Sequence, residues 1–347
     1  MISIDIKNSG SYTVKIGNGL LDTAGDEVKK LGKTRKVCIV TDTHVSALYG
    51  QRVRESLESA GFDVFSFIFP FGEQSKNLSV YGRLVEDLCN NRFTRSDLIV
   101  ALGGGVVGDL AGFAAATFQR GIRYIQVPTT LLAAVDSSVG GKTAVDLTGG
   151  KNQVGCFYQP SLVLCDPDTL KTLPDEEYRC GCAEVIKYAI LKSRAFYNEL
   201  MDLPASEQFE HVIATCVEMK RDFVQEDEFD KGVRMFLNLG HSIGHAVEAL
   251  SGFTTLHGQA VAIGTAAVAR AAEKNGFCST DTLGDILTIL EKYGLPTENP
   301  YSAKDIIDLM LSDKKLIDGK LSLIVPEEIG KCRIVPVDSG DLGKWVL

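Results

Sequence analysis

LIVALGGGVVGDLAGFAAATF, residues 98–118, runs from five apolar residues through three consecutive glycines into a stretch with helical spacing. Strand, turn and helix in that order carry a G-x-G-x-x-G pattern at Gly103, Gly105 and Gly108. Small residues there let the backbone N–H groups of a helix N-terminus approach a pyrophosphate. A tight strand-to-helix turn with no ligand has the same spelling, and the motif lies later than an opening βαβ unit would put it.

Outward from this stretch, short β-branched runs recur at VCIVTD (37–42), VFSFIF (64–69), YIQVP (124–128) and LVLCD (162–166), alternating with helical patterns. That rhythm predicts βαβ units and a parallel sheet. Around Leu170–Pro174 it changes. From Asp175 to about Gly276, CAEVIKYAIL, HVIATCVEMKRDFV, HSIGHAVEAL and GQAVAIGTAAVARAAEKNG carry apolar residues three and four apart, as helices do. The expected organisation is an α/β Rossmann-like domain over 1–170 and a mainly helical domain over 171–347. LSLIV (321–325) and CRIVPV (332–337) predict a small hairpin near the end.

Composition narrows the function. A net charge of −9 disfavours nucleic acid and anionic membranes as partners. No run reaches the ~18 apolar residues of a spanning helix, and MISIDIKNSGSYTV lacks the basic n-region and apolar h-region expected of a signal peptide. Nine scattered cysteines suggest neither a disulfide framework nor a CxxC zinc site, which suits a reducing cytosol. A small molecule is the expected ligand. If it is anionic, a local basic pocket must bind it against the overall charge.

Three of the five histidines, His241, His245 and His257, fall in one short segment. On a helix His241 and His245 share a face. They suit two ligands of one metal or one ligand and one acid/base, with His257 folding back from the next helix; two surface histidines and a capping one are the alternative. A catalytic metal usually takes three protein ligands, so two histidines want a carboxylate. Glu184, in an otherwise apolar helix, is the best candidate, although an ordinary surface pair with Lys187 at i+3 reads equally simply.

A third constellation is polar: Asp136-Ser137-Ser138-Val139-Gly140-Gly141-Lys142, then Gly149-Gly150-Lys151-Asn152. Two GGK triplets suit flexible backbone presenting ammonium groups to an anion, or merely two solvated turns. Arg120, Lys220, Arg234 with Asn238, and the pair Lys314-Lys315 supply further basic and polar positions.

From about residue 35 to 315 these motifs resemble the 3-dehydroquinate synthase family, within the wider group of sugar phosphate cyclases and metal-dependent polyol dehydrogenases. The matching stretches are GGGVVGDLAGFAAATFQRGI, QVPTTLLAAVDSSVGGKTAVD, GKNQVG, AEVIKYAIL, RMFLNLGHSIGHAVE, LHGQAVAIG and DKK. The resemblance implies a metal site of zinc or cobalt on Glu184, His241 and His257, with His245 as acid/base. It implies substrate contacts from Asp136, Lys142, Lys151, Asn152, Lys220, Arg234, Asn238 and Lys314 or Lys315, with Arg120 reaching a phosphate from the neighbouring subunit of a homodimer. NAD would lie on Asp42, Gly72, Glu73, Lys76, Gly104, Gly105, Val106, Val107, Gly108, Asp109, Thr129, Thr130, Lys142, Lys151, Thr169, Leu170, Lys171 and Thr172. The implied substrate is the sugar phosphate 3-deoxy-D-arabino-heptulosonate 7-phosphate. His44, Cys180 and Asp230 depart from the family's pattern. The rival reading is an NAD- and metal-dependent polyol oxidoreductase of the glycerol dehydrogenase kind.

Overall fold

The computed structural model describes residues 1–312 and 319–346. They form two compact units, Met1–Leu173 with Ile213–Phe229, and Pro174–Val212 with Asp230–Leu347. The helical rhythm alone put Ile213–Phe229 with the second part. The segment groups with the first because Lys220 binds Asp136 and because Gln225 and Glu228 accept hydrogen bonds from Lys7 and Ser9 near the N-terminus.

The first unit is built on β1 (Ile2–Ile6), β2 (Tyr12–Ile16), β3 (Lys36–Asp42), β4 (Asp63–Phe69), β5 (Leu98–Gly103), β6 (Arg123–Pro128), β7 (Lys142–Leu147), β8 (Gly150–Phe157) and β9 (Leu162–Cys165). Seven of these make one sheet in the order β1-β2-β9-β6-β5-β3-β4. All its pairings are parallel except β1 with β2. β5 is buried throughout, and successive side chains leave it on opposite faces. Ile99 and Ala101 pack with Val107, Leu110 and Phe113 of the helix Gly105–Thr117 and with Leu84 and Leu88 of the helix Leu78–Asn90. Leu98, Val100 and Leu102 pack on the other side with Val53 and Leu57. Each fully buried aliphatic contributes about 1.5–3 kcal/mol; truncating Leu84 to alanine would cost about 2–5 kcal/mol.

The strand order reverses at β3. β4 follows it on one side, then the chain crosses to β5 on the other. Such a switch point leaves a crevice beyond the strand ends, where open α/β sheets bind ligands. The glycine turn after β5 and Asp42 at the end of β3 both lie there. The antiparallel pairs β1–β2 and β7–β8 were not expected from the sequence rhythm.

The second unit is mainly helical, with Asp175–Lys192, His241–Leu250, His257–Lys274, Thr280–Lys292 and Ala303–Ser312, and it carries the expected hairpin as β10 (Lys320–Glu328) and β11 (Lys331–Asp338). Ile243 and Val247 from one helix and Ala260, Ile263 and Ala267 from the next form its core with Leu321, Leu323 and Val325. Those two helices approach closely because Gly264 faces the Gly240 carbonyl, where a Cβ would stand 2.0 Å away. Among the described residues, no helix is long and apolar enough to cross a membrane.

Candidate metal centre and nucleotide-binding turn

Within the second unit, Glu184 lies on the helix Asp175–Lys192 and is 0% exposed. His241 opens one helix and His257 opens another, so both imidazoles stand at helix starts that are held close together. Glu184 Oε1 lies 3.6 Å from His241 Nε2 and 3.4 Å from His257 Nε2. One donor atom from each of the three residues falls within 4.8 Å of the others, a spacing that a single cation can bridge. His245, one turn after His241, has its ring centroid 5.6 Å from that of His241 and is exposed.

The electrostatics suit a cation. Burial drives the His241 pKa well below the usual imidazole value, leaving a neutral ligand. For His257 burial also works downward, but hydrogen bonds with the Glu184 and Glu248 carboxylates outweigh it and push the pKa up to about 9. The carboxylates thus draw positive charge to the spot where the Nε2 atoms converge. A divalent ion on the same atoms would meet that demand and displace the proton. Lys187 completes the surroundings, ion-paired with Glu184 and 1% exposed; the surface-pair reading of these two residues is therefore excluded.

Each imidazole also has a contact at its Nδ1. His241 Nδ1 is 3.0 Å from the Leu239 carbonyl, and His257 Nδ1 is 3.3 Å from Glu248 Oε2. Gly258 N–H donates to Cys180 Sγ at 2.9 Å, so the cysteine at this divergent position serves as an acceptor beside His257. The sequence reading named Lys187 only as a surface partner of Glu184 and did not single out Glu248. Their helical spacings, i+3 from Glu184 and i+3 from His245, were the available signal.

In the first unit, Gly104 caps the helix Gly105–Thr117 with extended backbone. A Cβ on Gly104 would meet the Thr130 side chain at 3.0 Å, and one on Gly108 would meet Gln126 Oε1 at 2.6 Å. Glycine at the first keeps the helix N-terminus bare, and glycine at the second seats the helix against β6. The bare N-terminus, with its inward N–H groups and positive dipole end, fits a pyrophosphate. Thr129 N–H donates to the Gly103 carbonyl, so the end of β6 borders the same turn. Asp42, on the neighbouring strand, accepts from the N–H groups of His44 and Val45. Thr169–Thr172 follow β9, where Tyr49 hydrogen-bonds Thr172, and Lys171 pairs with Asp168 at 2.6 Å.

Beside the turn lies a polar hub around Lys76, which is 4% exposed. Its Nζ is 2.7 Å from Asn152 Oδ1, 2.9 Å from Glu73 Oε1, 3.3 Å from Asp109 Oδ2 and 3.8 Å from Asp146 Oδ1. Asn152 adopts a left-handed φ of 56° and donates its N–H to Asp146 Oδ1. Burial pushes the Asp109 carboxyl up to about 6 although Lys76 pulls it down. Lys76 is held well above the usual ammonium value because Asp109, Glu73 and Asp146 outweigh its burial. The GGK segments are therefore two sides of the β7–β8 hairpin, with Lys142 opening β7 and Lys151 in β8, 4.0 Å from Glu73.

Lys220 binds both the carbonyl and the carboxylate of Asp136 at 2.6 Å. Arg234 is 2% exposed on the turn Val233–Asn238, which packs against the helix bearing Glu184 and leads toward His241. Asn238 donates to the Met235 carbonyl on that turn. Arg120 is exposed in a segment where Gln119 and Arg120 both take positive φ. Lys314 and Lys315 lie outside the described residues.

The 3-dehydroquinate synthase N-terminal family model matches residues 66–180, and the 3-dehydroquinate synthase C-terminal model matches residues 181–316. The chain is 44% identical over 340 residues to the 3-dehydroquinate synthase of Streptococcus suis strain 05ZYH33, covering 96% of each. Its fold is similar to a 2-deoxy-scyllo-inosose synthase complexed with carbaglucose-6-phosphate, NAD+ and Co2+, with a TM-score of 0.89, 26% identity and coverage of 99% of this chain and 100% of that one. It is also similar to 2-epi-5-epi-valiolone synthase from Streptomyces hygroscopicus subsp. jinggangensis 5008 with NAD+ and Zn2+ bound, with a TM-score of 0.88, 26% identity and coverage of 98% and 96%.

Proposed function

This chain belongs to the 3-dehydroquinate synthase family, and on that premise we propose how its residues divide the work of the reaction. The enzyme is a phosphate-eliminating carbon–oxygen lyase that converts 3-deoxy-D-arabino-heptulosonate 7-phosphate to 3-dehydroquinate and phosphate. It uses NAD and a divalent metal. Bound NAD supplies reversible hydride transfer at C5 of the sugar, and the cation supplies Lewis acidity toward the hydroxyl there.

Glu184, His241 and His257 hold the cation, which we take to be zinc. Gly104–Asp109 with Thr129 and Thr130 hold the dinucleotide phosphates, while Asp42 binds a ribose hydroxyl. Gly72, Glu73 and Lys76, together with Thr169–Thr172, form the rest of the dinucleotide surface. His245, an exposed imidazole one turn from His241, moves a proton to and from a substrate oxygen. Lys142, Lys151, Asn152 and Lys220 with Asp136 orient the substrate, and Arg234, Asn238 and Lys314 or Lys315 bind its anionic groups. Arg120 from the neighbouring subunit of a homodimer binds the phosphate. Basic side chains of this kind supply the local attraction for an anion that a chain of net charge −9 requires. Binding both ends of one flexible molecule favours its intramolecular ring closure. Nine cysteines, none in a disulfide among the described residues, suit the cytoplasm, where we locate the enzyme.

The observation that carries this assignment is the meeting of Glu184 Oε1 with the two Nε2 atoms at 3.4–3.6 Å. Incubation with the heptulosonate phosphate, catalytic NAD and zinc tests it by product identification. The expected product is 3-dehydroquinate, detected by NMR. Unchanged sugar phosphate alongside oxidation of glycerol would favour the polyol oxidoreductase.

A further inference from the structure

Glu248 lies on the helix His241–Leu250, seven residues after His241 and three after His245, so all three project from one face. Its side chain is 3% exposed. A buried carboxylate is costly unless it is paired, and the contact at hand is with His257, whose Nδ1 lies 3.3 Å from Glu248 Oε2. The other nitrogen of that ring faces Glu184, 3.4 Å away. Each nitrogen of His257 therefore meets a different carboxylate from a different helix.

A neutral imidazole has one N–H and one lone pair, and an ionised carboxylate only accepts. Once a cation displaces the Nε2 proton, Glu248 accepting from Nδ1–H keeps the remaining proton on Nδ1 and the lone pair on Nε2, on the side of Glu184 and His241. We propose that Glu248 is a positioning residue that fixes the tautomer and ring orientation of His257 and so presents Nε2 to the divalent cation. This rests on the assignment of Glu184, His241 and His257 as the metal-holding set. His241 has the counterpart contact in the Leu239 carbonyl, 3.0 Å from its Nδ1, so one ligand is oriented by backbone and the other by a replaceable side chain. Glu248 is itself anchored, since its backbone carbonyl accepts from Phe253 N–H at 2.8 Å and Ser251 Oγ at 2.7 Å.

Zinc affinity of the metal-free full-length protein, measured by competition with a chromophoric chelator, tests this in the parent, Glu248→Gln and Glu248→Ala. Melting of each metal-free protein reports folding separately. Carboxylates behind metal-bound histidines are typically worth 10–100-fold in affinity. Glu248→Ala should bind zinc about 10–100-fold more weakly and Glu248→Gln, which keeps an acceptor, about tenfold, with the metal-free melting of Glu248→Gln unchanged. If the alanine variant does not fold, the glutamine variant decides. Zinc binding by Glu248→Gln within twofold of the parent would overturn the proposal. Loss as complete as in His257→Ala would overturn it too, by making Glu248 a ligand. A parent that binds no zinc would instead remove the metal assignment on which the proposal rests.

Discussion

Lys187 and Glu184 form an ion pair one turn apart on a single helix, with side chains 1% and 0% exposed. An ammonium in that place offsets part of the cost of burying the carboxylate that the metal site needs. Lys187→Met should therefore destabilise the metal-free protein by about 3–5 kcal/mol, and saturating zinc should recover part of the loss. Urea unfolding with and without zinc checks this; equal stability of parent and variant would show that the pair carries no weight.

Glu184→Ala and His257→Ala should each lose zinc and activity together, because two remaining ligands make a weak site. His245→Ala should retain stoichiometric zinc while turnover falls roughly 10²–10⁴-fold, the usual range for a general acid or base. Metal analysis beside a steady-state assay separates the roles. A zinc-free His245→Ala protein would make that residue a ligand.

Gly258 follows His257 and sits against the helix bearing Glu184, where a Cβ would stand 2.1 Å from the Cys180 carbonyl oxygen. Gly258→Ala must push the two helices apart at the point where they bring their ligands together. The expected result is about 1–3 kcal/mol of lost stability, together with weaker zinc binding. Calorimetric melting with a zinc titration measures both, and unchanged zinc affinity would separate the helix contact from the metal site.

Asp109 gives a pH signature. Its folded pKa of about 6 lies above the ordinary 3.8, so the folded protein holds a proton that the unfolded chain releases between those values. Its contribution to stability is full below about pH 4 and is lost as pH rises through 6. Asp109→Asn removes the titration, so its stability relative to the parent should improve by roughly 2–3 kcal/mol between pH 4 and 7. Urea unfolding of both proteins across that range reads the difference. A pH-independent difference would mean that Asp109 titrates normally.

The parallel strands and the glycine turn were legible because β-branched runs and a strand-turn-helix spelling are local signals. The histidine cluster was legible because histidine is scarce and the spacing of His241 and His245 fits one helical face. β1 and β2 alternate Ile2, Ile4, Ile6 and Tyr12, Val14, Ile16 on the buried face, a signal that was present and passed over. The β7–β8 hairpin was hidden because Gly149 and Gly150 read as a loose turn, whereas Leu147 pairs with Gly150 across it after a shift in register at Val145–Leu147. The hub around Lys76 was beyond local reading. Glu73 stands three residues from Lys76, but Asp109 and the hairpin residues Asp146 and Asn152 come from elsewhere in the chain, and only the tertiary fold brings them to that ammonium. Glu248 was concealed differently, since its partner His257 lies across a loop and a lone glutamate on a helix reads as solvated surface.

The most direct test of the central claim is phosphate release from 3-deoxy-D-arabino-heptulosonate 7-phosphate with NAD far below the substrate concentration, followed together with NADH absorbance before and after removal of metal by a chelator. The account predicts many phosphates released per NAD, no accumulation of NADH, loss of release on chelation and its return with zinc. Stoichiometric NADH from a simple polyol, with no phosphate released from the sugar phosphate, would contradict it.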